Sequence, residues 1–222
     1  MADKMNEKEI THTSNKRYTL GEEIFNSVSH GLGAALAVAG CVLLIIFAAL
    51  HSDALGIVSA ALYGASLIVL YMASTLYHSL VNEKAKAVFR IFDHCSIFIL
   101  IAGTYTPYCF VTLRGTAGYV LGSLIWAMAI LGIVLNAVNL EKFEKISVLC
   151  YLIMGWAVVF TIKPLINALA LGGLLLLALG GVMYTLGIIF FLMKRAYMHS
   201  IWHLFVLAGS VLQFFSVLLY VY

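Results

Sequence analysis

Apolar segments of twenty or more residues follow one another along almost the whole chain, separated by short polar stretches. A helix needs about 20 apolar residues to cross the hydrocarbon core of a bilayer. Of the 222 residues, 63% are hydrophobic and only 10% are charged, whereas soluble domains carry about 25% charged residues. Strands of membrane β-barrels alternate in polarity and last about 10 residues. The sequence therefore predicts an all-α, polytopic membrane protein.

Seven of these apolar runs are long enough to span a bilayer. Their approximate bounds are 24–50, 54–81, 88–112, 116–139, 145–167, 170–193 and 199–221. The fifth and sixth are the least clearly divided, since only Lys163, Pro164 and Asn167 interrupt them. We predict a single seven-helix domain over 22–222, preceded by a polar cytoplasmic tail over 1–21. The tail has neither the apolar stretch nor the small-residue cleavage site of a signal peptide.

Lysine and arginine residues are distributed very unevenly between the two sides of this bundle. Eleven lie in the tail and in alternate connecting segments, and the other segments carry only Arg114 and Lys163. Because positive residues stay in the cytoplasm, we predict a cytoplasmic N-terminus and an external C-terminus. The formal net charge of +3 reflects this orientation and does not indicate nucleic-acid binding.

The four cysteines lie in or near the apolar runs and show no C-x-x-C spacing. They are Cys41, Cys95, Cys109 and Cys150. We interpret them as free thiols that pack as small hydrophobic side chains.

Polar and ionisable residues gather at one end of the predicted bundle. An ionisable group inside a membrane span is costly and usually functional. The predicted topology places eleven such residues at the cytoplasmic ends of the first, second, third and seventh runs: Glu22, Glu23, Asn26, Ser27, His30, Ser74, His78, Asp93, His94, His199 and His203. The outer halves carry almost nothing comparable. Since the topology used only lysine and arginine, this clustering is an independent observation.

His199 and His203 form a pair that is suited to holding a metal ion. A spacing of four residues places both imidazoles on one helix face, one turn apart. His78 ends the second run at about the same depth and is the best third ligand. Three neutral imidazoles with one open position make a catalytic type of zinc site. Taken singly, His199 would be an interfacial histidine and His203 a hydrogen-bonded core histidine.

Asp93 and Ser74 could supply the chemistry beside such a metal. Ser74 precedes His78 by four residues and shares its helix face. Asp93 could hold a metal-bound water or orient one of the histidines. Zinc lowers the pKa of bound water to about 7, and a neighbouring carboxylate can take the proton. The set is competent to hydrolyse an amide or ester that arrives from the lipid or the cytoplasm.

Four further polar residues surround this set as candidates for supporting roles. His94 points about 100° away from its neighbour Asp93 on a helix, which makes it a weak candidate ligand. We expect His30 to hydrogen-bond within the polar surroundings of the site. Glu23 and Asn26 are candidates for the support of the site. The alternative is that Glu22 or Glu23, with Asn26, caps the first helix and pairs with the basic inner loops.

The polar residues fall into motifs with a fixed order along the chain. They read Glu23-x-x-Asn26-x-x-x-His30, Ser74-x-x-x-His78, Asp93-His94, Tyr151-Leu-Ile-Met-Gly-Trp156 with Lys163-Pro164-Leu165, and His199-x-x-x-His203. This order resembles the hemolysin III family, the bacterial relatives of the progestin and adipoQ receptors. The resemblance covers nearly the whole chain past residue 18.

The resemblance implies a seven-helix fold in a bacterial cell membrane with the N-terminus inside. It implies a zinc ion held by three histidines, matching His78, His199 and His203, with the carboxylate matching Asp93 near the bound water. It also implies kinship with membrane hydrolases that include the alkaline ceramidases, in which the position of Ser74 is thought to help the site. The family name comes from haemolytic activity attributed to a few members.

Three functions remain open at this level. The first is a zinc-dependent hydrolase of lipid amides or esters, or a lipid-homeostasis protein built on the same site, with membrane lipids as partners. The second is a cytolytic, pore-forming protein, which the sequence supports poorly because no polar face suits the lining of a wide pore. The third is a receptor or sensor with a structural zinc. Neither the substrate nor the oligomeric state follows from the sequence.

Overall fold

The computed structural model describes residues 18–222, so most of the predicted tail lies outside the described residues. Seven α-helices follow in this part of the chain: α1 (Leu20–His51), α2 (Ala54–Ser79), α3 (Glu83–Pro107), α4 (Thr116–Trp156), α5 (Ile162–Ala168), α6 (Leu171–Leu192) and α7 (Met198–Tyr220). A π-helical turn over Tyr108–Thr112 extends α3, and a 3₁₀ turn over Ala157–Thr161 joins α4 to α5. The described residues contain no strand. The all-α prediction is confirmed.

Six helical segments of the described chain are long and apolar enough to cross a membrane. Their bounds are Leu20–His51, Ala54–Ser79, Glu83–Thr112, Thr116–Ala168, Leu171–Leu192 and Met198–Tyr220. The chain is thus a polytopic helical membrane protein, as predicted. The number of segments differs from the seven apolar runs because Thr116–Ala168, with 53 residues, takes in both the fourth and the fifth run.

Helix α4 is interrupted and reverses its direction. Asn139 has φ −161° and ψ 91°, which is not helical, and its Oδ1 accepts a hydrogen bond from the Lys142 amide at 3.0 Å, as an N-cap does. The Ser147 hydroxyl donates to Oδ1 of Asn136 at 2.6 Å. In a straight helix these two residues would be about 16 Å apart. We therefore describe α4 as a first arm (116–138) and a second arm (140–156).

Three of the helices begin at residues with short polar side chains that cap them. Thr19 and Glu22 form a reciprocal capping box at the start of α1, and Asn82 accepts from the Ala85 amide at the start of α3. Asp53 caps α2 by accepting from the Gly56 amide at 3.1 Å. This hydrogen bond, together with a 2.6 Å ion pair to Arg114, holds the pKa of Asp53 below its usual value.

Helix α6 packs against α7 through glycines. Its buried residues are Gly173, Gly180 and Gly187, which recur every seven residues and therefore lie along one face. Cβ atoms on Gly173 and Gly187 would lie 2.8 Å from the side chains of Tyr220 and Trp202, respectively. Small residues allow close helix approach in membranes, and here they make room for large side chains of α7.

Candidate metal centre

The first turns of α7 present two histidines to the interior of the bundle. His199 and His203 lie four residues apart, and their Nε2 atoms are 3.1 Å from each other. His203 is only 1% exposed. Both rings share one helix face, as the spacing predicts, and their facing nitrogens mark a point at which one metal ion could sit.

His78 approaches the same point from the last turn of α2. Its ring centroid is 5.3 Å from that of His199 and 5.0 Å from that of His203. One potential ligand atom from each of the three histidines lies within 4.8 Å of the others. The end of α2 and the start of α7 lie together, so residues 121 positions apart in the sequence form one cluster.

Glu23 fixes the orientation of the His78 ring. Its Oε2 lies 2.7 Å from Nδ1 of His78, and its Oε1 accepts from Nζ of Lys86 at 2.6 Å. Because a carboxylate only accepts hydrogen bonds, Nδ1 carries the proton and Nε2 keeps a free lone pair. That Nε2 is buried and has no hydrogen-bond partner among the described residues. Carboxylates orient metal-binding histidines in this way.

The three histidines fit a metal ion with tetrahedral preference. Zinc–nitrogen bonds of about 2.0–2.1 Å place tetrahedral ligand atoms about 3.3 Å apart, close to the 3.1 Å between the Nε2 atoms of His199 and His203. The unpaired Nε2 of His78 supplies a third lone pair in the same space. His78, His199 and His203 can therefore hold a metal ion, with one position left for another ligand.

His30 packs flat against one member of the cluster. Its ring stacks on that of His203 at 3.6 Å between centroids and 14° between planes, while Tyr71 meets it edge-on at 5.0 Å. His30 is 3% exposed, and both of its ring nitrogens lack a hydrogen-bond partner within the described chain. It belongs to the wall of the cluster and is not one of the three histidines that share a point.

Asn26 connects three helices beside the cluster. It is fully buried, and its Oδ1 accepts a 2.7 Å hydrogen bond from the hydroxyl of Ser200 in α7. Its Nδ2 lies 3.5 Å from Nδ1 of His78 in α2. The hydrogen bond from Ser200 therefore fixes α1 against α7, whereas Asn26 and His78 are in contact without a hydrogen bond, because Nδ2 and the protonated Nδ1 are both donors.

Asp93 and Ser74 face the cluster from α3 and α2. The Asp93 carboxyl group interacts with both Ser74 and His78. Ser74 is 1% exposed, and its hydroxyl does not reach full hydrogen-bond geometry with any described residue. Asp93 is not among the three residues whose ligand atoms converge. The structure thus places this carboxyl group next to the histidines, without making it a direct member of the group.

The structure places His94 outside the cluster, against α6 and α4. Its ring lies 6.3 Å from that of Phe191, and its carbonyl accepts a 2.9 Å hydrogen bond from the Tyr151 hydroxyl. It points away from the histidines, in keeping with its position directly after Asp93.

Tyr18 lies against the histidine cluster, although no pattern in the sequence distinguishes it. Its ring centroid lies 4.8 Å from that of His199 and 5.5 Å from that of His78. The segment is held in place by Glu22, which accepts from the Thr19 amide at 2.9 Å and from the Tyr197 amide at 2.8 Å. An aromatic residue at a membrane boundary is ordinary, so no sequence signal distinguished Tyr18.

An apolar cavity of about 110 Å³ lies beneath the histidine cluster, toward the middle of the bundle. Leu70, Ile97 and Val206 line it. They lie three or four residues along the same helices from Ser74, Asp93 and His203, respectively, which is about one helical turn. The cavity therefore approaches the polar site from the hydrocarbon side.

Comparison with known proteins agrees with these motifs. The Haemolysin-III related family matches residues 18–214. The chain is similar to Hemolysin-3 from Bacillus cereus, with 47% identity over 90% of this chain and 92% of the relative. It is also similar to a Hemolysin-3 homolog from Bacillus subtilis, with 44% identity over 91% of this chain and 96% of that protein.

A more distant human protein extends the match beyond bacteria. The monocyte to macrophage differentiation factor is 30% identical over 94% of this chain and 89% of its own length. The breadth of these matches confirms the resemblance that the ordered polar motifs indicated. The chain belongs to the haemolysin-III-related family, within the progestin and adipoQ receptor superfamily.

Proposed function

We propose that this protein is a zinc-dependent membrane hydrolase that cleaves an amide or ester bond of a lipid. The observation that carries the proposal is the convergence of His78, His199 and His203 beside the Asp93 carboxyl group, at the end of an apolar cavity. Three imidazoles and an open position suit zinc. The cavity would accept a hydrocarbon chain and present its head group to the histidines.

Each residue of the site has a separate role in the proposed hydrolysis. A zinc ion bound by the three histidines would supply Lewis acidity and promote the deprotonation of water. Asp93 is placed to take that proton at its carboxylate and to return it to the leaving nitrogen or oxygen. The Ser74 hydroxyl, which interacts with Asp93 but makes no hydrogen bond of full geometry within the described residues, is available to donate to the substrate carbonyl. Glu23 keeps His78 in the tautomer that binds through Nε2.

We also propose that the chain crosses the bacterial cell membrane seven times, with the N-terminus in the cytoplasm. The contact between Ser147 and Asn136 supports a reversal within α4. A straight segment of 53 residues would be about 80 Å long, which far exceeds a hydrocarbon core of about 30 Å. Seven crossings then place the eleven basic residues on one side, together with the histidine cluster.

A structural zinc in a receptor or sensor is the second candidate. The observation that favours it is the position of the Tyr18 ring against the rings of His199 and His78, where it would restrict the approach of a substrate. In this case the metal would hold α2 against α7 and Asp93 would have no reactive role.

Activity and metal content of purified protein separate these functions. We expect stoichiometric zinc and hydrolysis of at least one member of a panel of lipid amides and esters. Asp93→Asn should keep the zinc and lose at least about 100-fold in rate, whereas Asp53→Asn, which alters an acidic residue in a distant loop, should keep both. Stoichiometric zinc without any hydrolysis across the panel would remove the enzymatic proposal and leave the structural metal.

The names of the bacterial relatives raise cytolysis as a further outcome of the same experiment. Leakage of dye from liposomes, measured with wild-type protein and His203→Ala, addresses it. A hydrolase predicts that any membrane damage disappears with the histidine. Leakage that persists in His203→Ala would favour the cytolytic function over the hydrolase.

A further inference from the structure

A polar side chain faces the apolar cavity at the end that lies far from the histidine cluster. Gln213 of α7 is 7% exposed and lines the cavity. Its carboxamide makes no hydrogen bond to another described residue and is not fully enclosed by protein atoms, so it is accessible from the cavity. It lies ten residues beyond His203 on the same helix, which corresponds to about 15 Å along the axis.

The contact between α6 and α7 is shaped to hold this side chain in place. A Cβ on Gly180 would lie 2.6 Å from Cγ of Gln213 and 3.1 Å from the carbonyl oxygen of Gly209. A Cβ on Gly209 would in turn lie 2.9 Å from the ring of Tyr184. Gly180 of α6 thus leaves room for Gln213 of α7, and Gly209 of α7 leaves room for Tyr184 of α6. This reciprocal arrangement fixes Gln213 and Tyr184 against the cavity.

Two tyrosines lie with Gln213 in the lining of the cavity. We call Tyr108, Tyr184 and Gln213 together the polar wall. The Tyr184 hydroxyl lies 2.9 Å from Oγ of Ser210, and the Tyr108 hydroxyl donates to Oγ of Ser216 at 2.7 Å. The hydroxyls are thus oriented by hydrogen bonds within the bundle, and Gln213 is the member of the wall that lacks one.

This wall restricts the chemistry of what fills the cavity. A buried amide without a hydrogen bond costs free energy, so a purely hydrocarbon occupant would leave Gln213 unsatisfied. The residues that line the cavity include no aspartate, glutamate, lysine, arginine or histidine. A charged group would therefore have no counter-charge there. A neutral group that both donates and accepts, or accepts alone, matches the carboxamide.

We propose that the cavity binds an elongated apolar molecule carrying a neutral hydroxyl or carbonyl group about 15 Å from its head group. The position of the head group at the histidines rests on the proposed hydrolase function, whereas the preference for a distal polar group does not. Sites built to hydrogen-bond a ligand discriminate strongly against analogues that lack the matching group. The distal group therefore defines a class of substrate within the lipids.

Competition binding with purified wild-type protein tests this without any need for catalysis. The labelled probe is palmitic acid. The competitors are unlabelled palmitic acid and two analogues with a hydroxyl group, one beside the carboxyl group and one in the distal third of the chain. We expect the distal analogue to compete about tenfold better than palmitic acid. The proximal analogue should show no such gain.

Variants of the polar wall show whether Gln213 is responsible. Gln213→Leu keeps the size of the side chain in the space left by Gly180 and should abolish the preference, with unchanged binding of palmitic acid. Tyr184→Phe keeps the ring against Gly209 and should reduce the preference. Val211→Leu, which alters an outward-facing residue that is 40% exposed, is the matched control and should retain it.

Two results would overturn the proposal. One is equal competition by all three fatty acids in the wild-type protein, which would mean that water covers Gln213. The other is a distal preference that survives in Gln213→Leu. If Gln213→Leu does not fold, the competition of the three fatty acids for the wild-type protein and for Tyr184→Phe still tests the proposal. A protein without zinc or hydrolysis that nevertheless shows the preference would refute the hydrolase and keep this inference.

Discussion

Glu23 connects the metal centre to the positive charge at its edge, because its two carboxylate oxygens contact His78 Nδ1 at 2.7 Å and Lys86 Nζ at 2.6 Å. The first contact determines which nitrogen of His78 is free, and the second balances the charge of the carboxylate. This carboxylate of α1 therefore contacts side chains of both α2 and α3. Metal affinity should therefore depend on a residue that does not bind the metal.

Replacing Glu23 tests this dependence. Loss of an orienting carboxylate typically weakens metal binding 10- to 100-fold, so we expect Glu23→Ala to weaken zinc binding by about that factor. Glu23→Gln, which can still accept from Nδ1, should fall between Ala and the wild type. Zinc affinity is measured by competition with a chelator of known affinity.

The neighbouring Glu22 provides the control for Glu23. Glu22 is the adjacent carboxylic acid and is buried, but it accepts hydrogen bonds from Thr19 and from the Tyr197 amide. Glu22→Gln should lower the midpoint of thermal unfolding and leave zinc affinity within about twofold of wild type, since no histidine depends on it. Equal zinc affinities in Glu23→Ala and the wild type would contradict the orienting role.

Removal of the metal should separate helices that are distant in the sequence. Binding to the folded state alone stabilises a protein by about 4 kcal/mol at a ligand concentration of 1,000 times the dissociation constant. We therefore expect a chelator to lower the unfolding midpoint of the wild type, measured by differential scanning fluorimetry. His203→Ala should start at the lower midpoint and no longer respond to the chelator.

His51 serves as the matched histidine for this experiment. It is exposed at the end of α1, and its contacts within the described residues are with Phe47 of its own turn, including the Phe47 carbonyl at 3.0 Å. His51→Ala should respond to the chelator as the wild type does. A chelator response that survives in His203→Ala would mean that the stabilising metal binds elsewhere.

The ionisable residues of the candidate site could be identified from the sequence, because such side chains are rare in membrane-spanning segments. His199 and His203 stand out because imidazoles are rare in spans and the four-residue spacing fixes their common face. His78 followed from the alternation of lysine and arginine, which brought the end of the second apolar run to the same side. The tight reversal at Asn139, by contrast, left only a short polar interval in the sequence, and local hydrogen bonds decide its geometry.

Site residues whose types are common in membrane proteins could not be identified as functional from the sequence. Tyr18 and Tyr184 are aromatic side chains, which also occur as packing and interface residues. Gln213 is uncharged and isolated in a long apolar run. Their roles depend on which helices are neighbours, and a single sequence carries little information on that. The small residues Gly180 and Gly209 become meaningful only when the opposing side chains are known.

Tyr18 should slow the exchange of the bound metal. Its ring lies over His199 and His78, so Tyr18→Ala would open the cluster at that end. We expect zinc to be lost to excess chelator several times faster in this variant, followed with a fluorescent zinc indicator. Tyr18→Phe keeps the ring and should release zinc at the wild-type rate. Equal rates in Tyr18→Ala and the wild type would show that Tyr18 does not control access.

The reversal at Asn139 makes a prediction about the sides of the membrane that two cysteine substitutions can test. With seven crossings, position 116 lies outside and position 196 inside, whereas a single crossing by Thr116–Ala168 would place both on the same side. Thr116→Cys and Ala196→Cys alter exposed residues without changing any charge, so the distribution of basic residues that sets the orientation is preserved. The four native cysteines are replaced by alanine in this background.

An impermeant maleimide should label Thr116→Cys in intact cells and Ala196→Cys only after permeabilisation. A reversal within α4 requires this opposite behaviour, because each arm then crosses the bilayer once. Labelling of both positions from the same side would contradict the seven-crossing proposal. If both were labelled in intact cells, the histidines at the start of α7 would lie on the membrane face opposite the one that the basic residues indicate, since Ala196 lies two residues before that helix.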